Sequence, residues 1–232
     1  MLYLPLFYQA VHLQTPFGAA LSTLPFAAPI VVFGAVSGVV VDRLRKYRAI
    51  LWLGWFLSTL FTGLFYLVDR NTSNAESYVF QIFSGMGLGI VLTLSQIPMQ
   101  ASVAHVDDTG LAIGMLVIFR FFGALIGLTT ASTIFNSVFQ TRINAVATLP
   151  PSLAILRDAS EAVRFIPTLR SLHQNLSPET LSVILEVYTR PFQAIWIAMT
   201  SFAGVGFLAT LFIKELSLEK DEVSRQGFQQ PQ

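Results

Sequence analysis

A short basic cluster between two long apolar runs constrains the fold of this chain more than any other sequence feature. Four of the six residues 43–48 are Lys or Arg, and the apolar runs 18–41 and 49–68 lie on either side. Each run can cross a bilayer as a helix, because a helix rises about 1.5 Å per residue and the hydrocarbon core is about 30 Å thick. Short basic loops stay on the cytoplasmic side, so the cluster also predicts the orientation of every span.

The composition places these runs in a membrane protein. The chain of 232 residues is 53% hydrophobic and 12% charged, and that charged share is about half of what soluble domains carry. The net charge of +1 argues against nucleic acid as a partner, because nucleic-acid binding needs a basic face. We therefore expect an integral membrane protein whose main surrounding is the lipid bilayer.

Metal, cofactor and enzyme chemistry are not expected. The chain has no cysteine, which excludes disulfides, thiolate nucleophiles and Cys-based zinc sites. His12, His105 and His173 share no metal-like spacing, so we predict no metal site and no cofactor. No cluster of His, Asp or Glu lies near the end of a span to perform acid–base chemistry, which disfavours a membrane enzyme.

The apolar pattern predicts an all-α, polytopic transmembrane bundle in residues 1–213. Residues 1–11 have neither a basic region nor a cleavage site, so they are not a signal peptide. They are typical of the outer half of a membrane helix, which predicts a fragment or a gene model begun at an internal Met. The predicted segments are an incomplete span 1–11, spans 18–41, 49–68, 78–99, 110–135 and 192–213, an external loop 136–190 and a disordered cytoplasmic tail 214–232.

Prolines and glycines predict local features of these spans. Pro25 and Pro29 predict a kink in span 18–41. The glycines of the next two long spans have the spacing of small residues that let helix backbones approach closely; they are Gly85, Gly87 and Gly89, then Gly114, Gly123 and Gly127. In the external loop, residues 152–166 and 178–188 are typical of short amphipathic helices.

Several short motifs, in this order and spacing, resemble the second half of a major facilitator superfamily transporter. One of them, Gly38-x-x-x-Asp42-Arg43-x-x-Lys46-x-Arg48, resembles the cytoplasmic loop signature of that superfamily. Four more resemble the C-terminal six helices of the fungal 14-span drug:proton antiporters. They are YLPLFYQAV at 3–11, YR with WxGW at 47–55, GxGxG with QASV at 85–103, and FRxxGxxxG at 119–127.

This resemblance implies the C-terminal six-helix half of a major facilitator fold, with the first helix incomplete. It implies a secondary carrier, most simply a proton-coupled exporter of amphipathic drugs or toxins, whose N-terminal half is missing. The plasma membrane is the expected location, with the vacuolar membrane as the alternative. One departure concerns the loop, where the family has a glycine and this chain has Arg45, so the tight turn expected there is in question.

Arg120 is the one formal charge inside a predicted span. It lies about ten residues into span 110–135, and therefore roughly 15 Å deep. Charges at such depth usually face a cavity or a partner, so one hypothesis is a cavity-lining cation that attracts an anionic group. The alternative is a side chain that extends to the cytoplasmic headgroups.

The other candidate residues are polar or aromatic. Gln96 is an uncharged polar group inside a span, where it binds either substrate or a neighbouring helix. Phe119 and Tyr8 are candidate cavity aromatics. The candidate gating loop consists of Gly38, Asp42, Arg43, Lys46 and Arg48, with a charge clamp and plain topogenic charge as the two interpretations.

No Asp or Glu falls inside a predicted span, although proton-coupled transport needs a titratable group that reaches both sides. A coupling proton would then be carried by the missing half. A non-transporting membrane fragment or accessory subunit is the alternative function for a chain of this kind.

Overall fold

A computed structural model describes residues 3–70, 72–103, 105–146 and 149–216, and these ranges contain helices and connecting turns with no β-strand. Five of the helical stretches in these ranges are long and apolar enough to cross a membrane. The predicted tail beyond residue 216 and the first two residues lie outside the described residues. The helices are α1 Tyr3–Ala10, α2 Pro16–Ser22, α3 Leu24–Leu44, α4 Arg48–Leu64, α5 Asn74–Leu94, α6 Gln96–Ser102, α7 Thr109–Asn144, α8 Ala162–Leu172 and α9 Pro178–Leu211.

The segment predicted as span 18–41 consists of two helices that meet at Thr23. Thr15 caps α2 by accepting a hydrogen bond of 2.8 Å from the Gly18 N–H. Pro25 lies in the first turn of α3, where N–H groups have no intrahelical partner, so its missing donor costs little. Pro29 lies inside α3, so the break precedes both prolines.

The last two long helices extend beyond the predicted spans. Helix α7 continues to Asn144, past the predicted end at residue 135. Helix α9 begins at Pro178 instead of residue 192, because Ser177 caps it and Pro178 provides a favourable first position. Residues 178–188, which were predicted as a separate amphipathic helix, are therefore the first part of α9.

Helix α5 is the centre of the bundle and touches the backbones of α3 and α4 directly. A Cβ atom on Gly85 would lie 2.3 Å from the Phe26 carbonyl oxygen, and one on Gly89 would lie 2.3 Å from that of Ile30. On the α4 side, a Cβ on Gly87 would lie 2.4 Å from the Ser58 nitrogen. Only glycine fits at these three positions, since the groups it meets are backbone atoms.

An aromatic cluster joins α1, α7 and α9. The rings of Phe7 and Phe192 are 5.5 Å apart, those of Phe135 and Phe192 are 5.4 Å apart, and those of Phe139 and Tyr188 are 4.9 Å apart. The cluster links α1, α7 and α9 with edge-to-face contacts, the arrangement that aromatic quadrupoles favour.

We expect Gly89→Ala to lower the stability of the bundle. The added methyl group would collide with the α3 backbone, and overpacking of this kind costs about 1–3 kcal/mol. Thermal unfolding of the purified chain in detergent measures the effect. Gly114→Ala is the matched control, because nothing lies within 4 Å of a Cβ at that position and alanine favours a helix by about 1 kcal/mol over glycine. Equal melting temperatures for the two variants would contradict the close approach of α5 and α3.

Candidate functional site

The basic loop retains its tight turn although it lacks the family's glycine. Helix α3 ends at Leu44, and Arg45 follows with φ 52° and ψ 21°, in the left-handed region. Its N–H donates a hydrogen bond of 2.8 Å to the Val41 carbonyl, which closes the helix end. The expectation that losing glycine endangers this turn is therefore wrong for the backbone, although a side chain in this conformation is strained.

The charges of the loop are largely exposed. The Asp42 carboxylate lies 3.8 Å from the Arg45 guanidinium, and both side chains are more than half exposed. Water screens such a pair, so it contributes little to stability. The Arg48 guanidinium lies 4.4 Å from the centre of the Trp52 ring, a cation–π contact inside the first turn of α4. Arg43 and Lys46 are exposed as well.

Gly38 lies on α3 where the helix faces α5. A Cβ at this position would come no closer than 3.9 Å to the Thr93 methyl group, which is ordinary contact. Position 38 therefore has space for a side chain, whereas position 89 on α5 does not.

Arg120 bridges α7 to the break between α5 and α6. Its guanidinium donates hydrogen bonds to the Leu92 carbonyl and, at 2.7 Å, to the Ser95 hydroxyl. The break follows from Pro98, which lacks an N–H and leaves a carbonyl of the preceding turn without its helical partner. Arg120 thus contacts backbone and hydroxyl oxygens of the neighbouring helix, which is one way in which a membrane protein accommodates a charge.

Gln96 and Phe119 lie beside this contact. Gln96 is half-buried, and it directly follows Ser95 as the first residue of α6. Phe119 precedes Arg120 and is 64% exposed. The structure therefore brings three of the four predicted cavity residues to one level of the bundle.

Tyr8 belongs to a different part of the molecule. It is 1% exposed, its hydroxyl forms a hydrogen bond with Ser77, and it accepts another of 2.8 Å from the Gln81 amide. Gln81 precedes Leu92 by eleven residues on α5, or about 16 Å along the helix axis. Tyr8 thus joins α1 to the first half of α5, far from Arg120.

A cleft of about 330 Å³ opens between α4, α5, α7 and α9. Its walls are mainly apolar, with the hydroxyl groups of Ser58 and Thr62 among the few polar atoms and with two tryptophans. The residues that define it best are Trp55, Ser58, Thr62, Gly123, Gly127 and Trp196. A space of this size with few polar groups is typical of small-molecule sites.

Sequence reasoning missed this cleft because its lining comes from five helices far apart in the chain, Tyr3 of α1 included. The one available signal was the small-residue spacing of α7, which was interpreted as a close helix contact. That interpretation is wrong here, since a Cβ at Gly114, Gly123 or Gly127 would meet nothing within 4 Å. Two of these glycines border the cleft.

Comparison with known proteins finds relatives along nearly the whole chain. The chain is 44% identical over 229 residues to the MFS-type transporter sphD of Aspergillus fumigatus, across 98% of this chain and 39% of the relative. The chain is related to the major facilitator superfamily (MFS) transporters. It is also 30% identical to MFS transporter L2 of a Phoma species, across 98% of this chain and 37% of the relative. The MFS-type efflux transporter phmH of Phaeosphaeria nodorum is 27% identical, across 94% of this chain and 37% of the relative.

The chain spans about two fifths of the length of the curated relatives it matches. No family model and no solved structure matches the chain. Kinship with MFS transporters, together with five apolar helices among the described residues, makes the chain an integral membrane protein with an all-α transmembrane bundle.

We expect Arg45→Gly to stabilise the basic loop. Glycine adopts the left-handed conformation without strain, so the free energy of unfolding should rise by about 1 kcal/mol. Lys46→Gly is the control, because among described non-glycine residues only Leu13 and Arg45 have positive φ. Chemical or thermal unfolding of both variants in detergent measures the difference. The turn would not be strained if Arg45→Gly proved no more stable than Lys46→Gly.

Proposed function

We propose that this chain forms part of a secondary carrier that exports small amphipathic molecules, with protons as the coupling ion. The observation that carries the proposal is the 44% identity to the MFS-type transporter sphD over nearly the whole chain. The relative phmH is named an MFS-type efflux transporter, which favours export over uptake. The plasma membrane is the location we propose.

The cleft and the Arg120 contact are the candidate substrate site. Trp55 and Trp196 offer wide apolar faces, and Ser58 and Thr62 offer two hydroxyl groups, a combination that suits amphipathic molecules. The two hydrogen bonds of Arg120 use two of the five N–H groups of a guanidinium. The remaining donors suit an anionic or carbonyl group of substrate, with Gln96 and Phe119 beside them.

Proton coupling needs a titratable group inside the membrane. In the part of the chain that the structure describes, no Asp or Glu lies in the middle of a long helix. Among the described residues, Asp42 lies near the end of α3, and Glu76 and Glu179 lie in the first turns of α5 and α9. Glu186 pairs with Arg190 at 2.9 Å on an exposed face. We propose that the proton-carrying residue comes from the N-terminal half of the carrier.

A non-transporting membrane protein or accessory subunit is the second candidate function. The specific observation in its favour is that the chain spans about two fifths of the relatives' length. Transport in the MFS uses two helical halves with substrate between them, so a protein with one half would need a partner.

The experiment that separates the two functions begins with the protein in its native membranes. An antibody against residues 216–232 would detect the protein by immunoblot. The same antibody would be used to purify the protein, which is then reconstituted into liposomes. We expect a polypeptide well above 25.6 kDa, the mass of this chain, and a pH gradient that drives movement of a fluorescent amphipathic dye. A product of that mass with no dye movement, with or without the gradient, would favour the accessory function.

We expect Arg120→Ala to reduce dye efflux by the reconstituted polypeptide about tenfold, because hydrogen bonds from charged groups contribute roughly 1.5–3 kcal/mol. Initial rates over a range of dye concentrations would separate affinity from turnover. Arg142→Ala is the control, since this exposed cation lies in the last turn of the same helix. Unchanged affinity and rate in Arg120→Ala would remove Arg120 from the site.

A further inference from the structure

The C-terminal end of α9 is bound to the N-terminal end of α4 through the side chains of Arg48 and Trp52. The Trp52 indole N–H donates a hydrogen bond of 3.0 Å to the Thr210 carbonyl, and the Arg48 guanidinium reaches the Leu211 carbonyl at 3.4 Å. Both carbonyls lie in the last turn of α9, and the Thr210 carbonyl also accepts the Ile213 N–H at 3.1 Å. Arg48 and Trp52 therefore bind the end of a helix that lies more than 150 residues later in the chain.

Tyr47 and the segment after α9 then cap each other reciprocally. The Tyr47 hydroxyl donates to the Lys214 carbonyl and accepts from the Leu216 N–H, each at 3.0 Å. In return, the Glu215 carboxylate accepts the backbone N–H of Tyr47 at 3.0 Å. Each side chain thus bonds to backbone groups of the other segment.

Burial and charge support this arrangement. Tyr47 is 0% exposed, whereas Glu215 on the outer side is exposed. Tyr47 immediately precedes α4, where the helix dipole attracts an anion, and Glu215 supplies one. The last turn of α9 attracts a cation by the same rule, and Arg48 supplies it. The N-terminal end of α4 is thus next to an anion and the C-terminal end of α9 is next to a cation, and both pairings are favourable.

We propose that residues 210–216 form a conformational latch on the basic loop, opening and closing as one unit. Closed, the latch holds Tyr47 and Arg48 against the end of α9 and the segment that follows it. Open, it releases both the loop and residues 214–216 together. The contact surface is intramolecular, so the proposal stands whether or not the chain transports a substrate.

Hydrogen exchange of the full chain in lipid nanodiscs tests the latch, read at the amides of positions 47 and 216. Tyr47→Phe removes the bonds of the hydroxyl and leaves the amide at position 47 chemically intact. A latch that opens as one unit predicts faster exchange at both amides, by about fivefold per hydrogen bond lost. Glu215→Ala should have the same double effect from the opposite side.

Two controls keep the outcomes distinct. Tyr66→Phe removes a hydroxyl from a tyrosine that is 44% exposed, and it should leave both amides unchanged. Glu215→Gln retains an acceptor oxygen and should preserve most of the protection. If each variant accelerated only the amide that it bonds directly, the contacts would be independent and the latch would be rejected. Rejection would also follow if neither amide responded. Should Tyr47→Phe fail to fold, Glu215→Ala, which alters an exposed side chain, decides alone.

Discussion

The direct backbone contact of α5 with α3 and α4 is the constraint on which the rest of the bundle depends. Inside a bilayer, lipid tails are as apolar as leucine, so helices associate through close packing rather than through exclusion of water. Gly85 and Gly89 permit that packing toward α3, and Gly87 permits it toward α4. Helix α9 then packs along α4, and α7 packs along α9.

A second constraint is that every interruption of a helix leaves backbone groups that a membrane does not satisfy. The chain meets it in three ways. At Thr23 the break is closed locally, by a bond of 2.8 Å from the Thr23 hydroxyl to the Ala20 carbonyl. Next to the break at Ser95, Arg120 from another helix binds the Leu92 carbonyl, and at the end of α9 Trp52 of α4 binds the Thr210 carbonyl. The same need for hydrogen bonds therefore produces a local cap, an interhelical tie and a long-range fastening.

Much of the fold could be predicted because long apolar runs and their interruptions are local properties of a sequence. The five apolar helices found among the described residues follow from them. The continuation of α9 back to Pro178 could not, because a helix that leaves the apolar region becomes polar without losing its backbone geometry. Arg45 is a different case: its neighbours predict a turn, but residue type alone predicts against a left-handed arginine.

The candidate site was predicted less well, for a reason that also applies to the latch. Arg120 was recognisable because charge is costly in an apolar run, yet its partners were not, since they depend on which turn of α5 faces α7. The lining of the cleft and the pairing of Tyr47 with Glu215 join residues that share no local pattern. Such contacts become visible only when the helices are assembled.

Helix α7 shows how unevenly the bundle is held. The buried residues of α7 all lie in its second half, where the helix packs in the aromatic cluster; they are Ala131, Phe135, Phe139 and Ile143. No residue from 110 to 130 is buried, so the Arg120 contact is the main polar tie of the first half. A helix that is apolar on all sides is stable in lipid or against further protein. Any shift of the first half of α7 relative to α5 would therefore require new partners for Arg120.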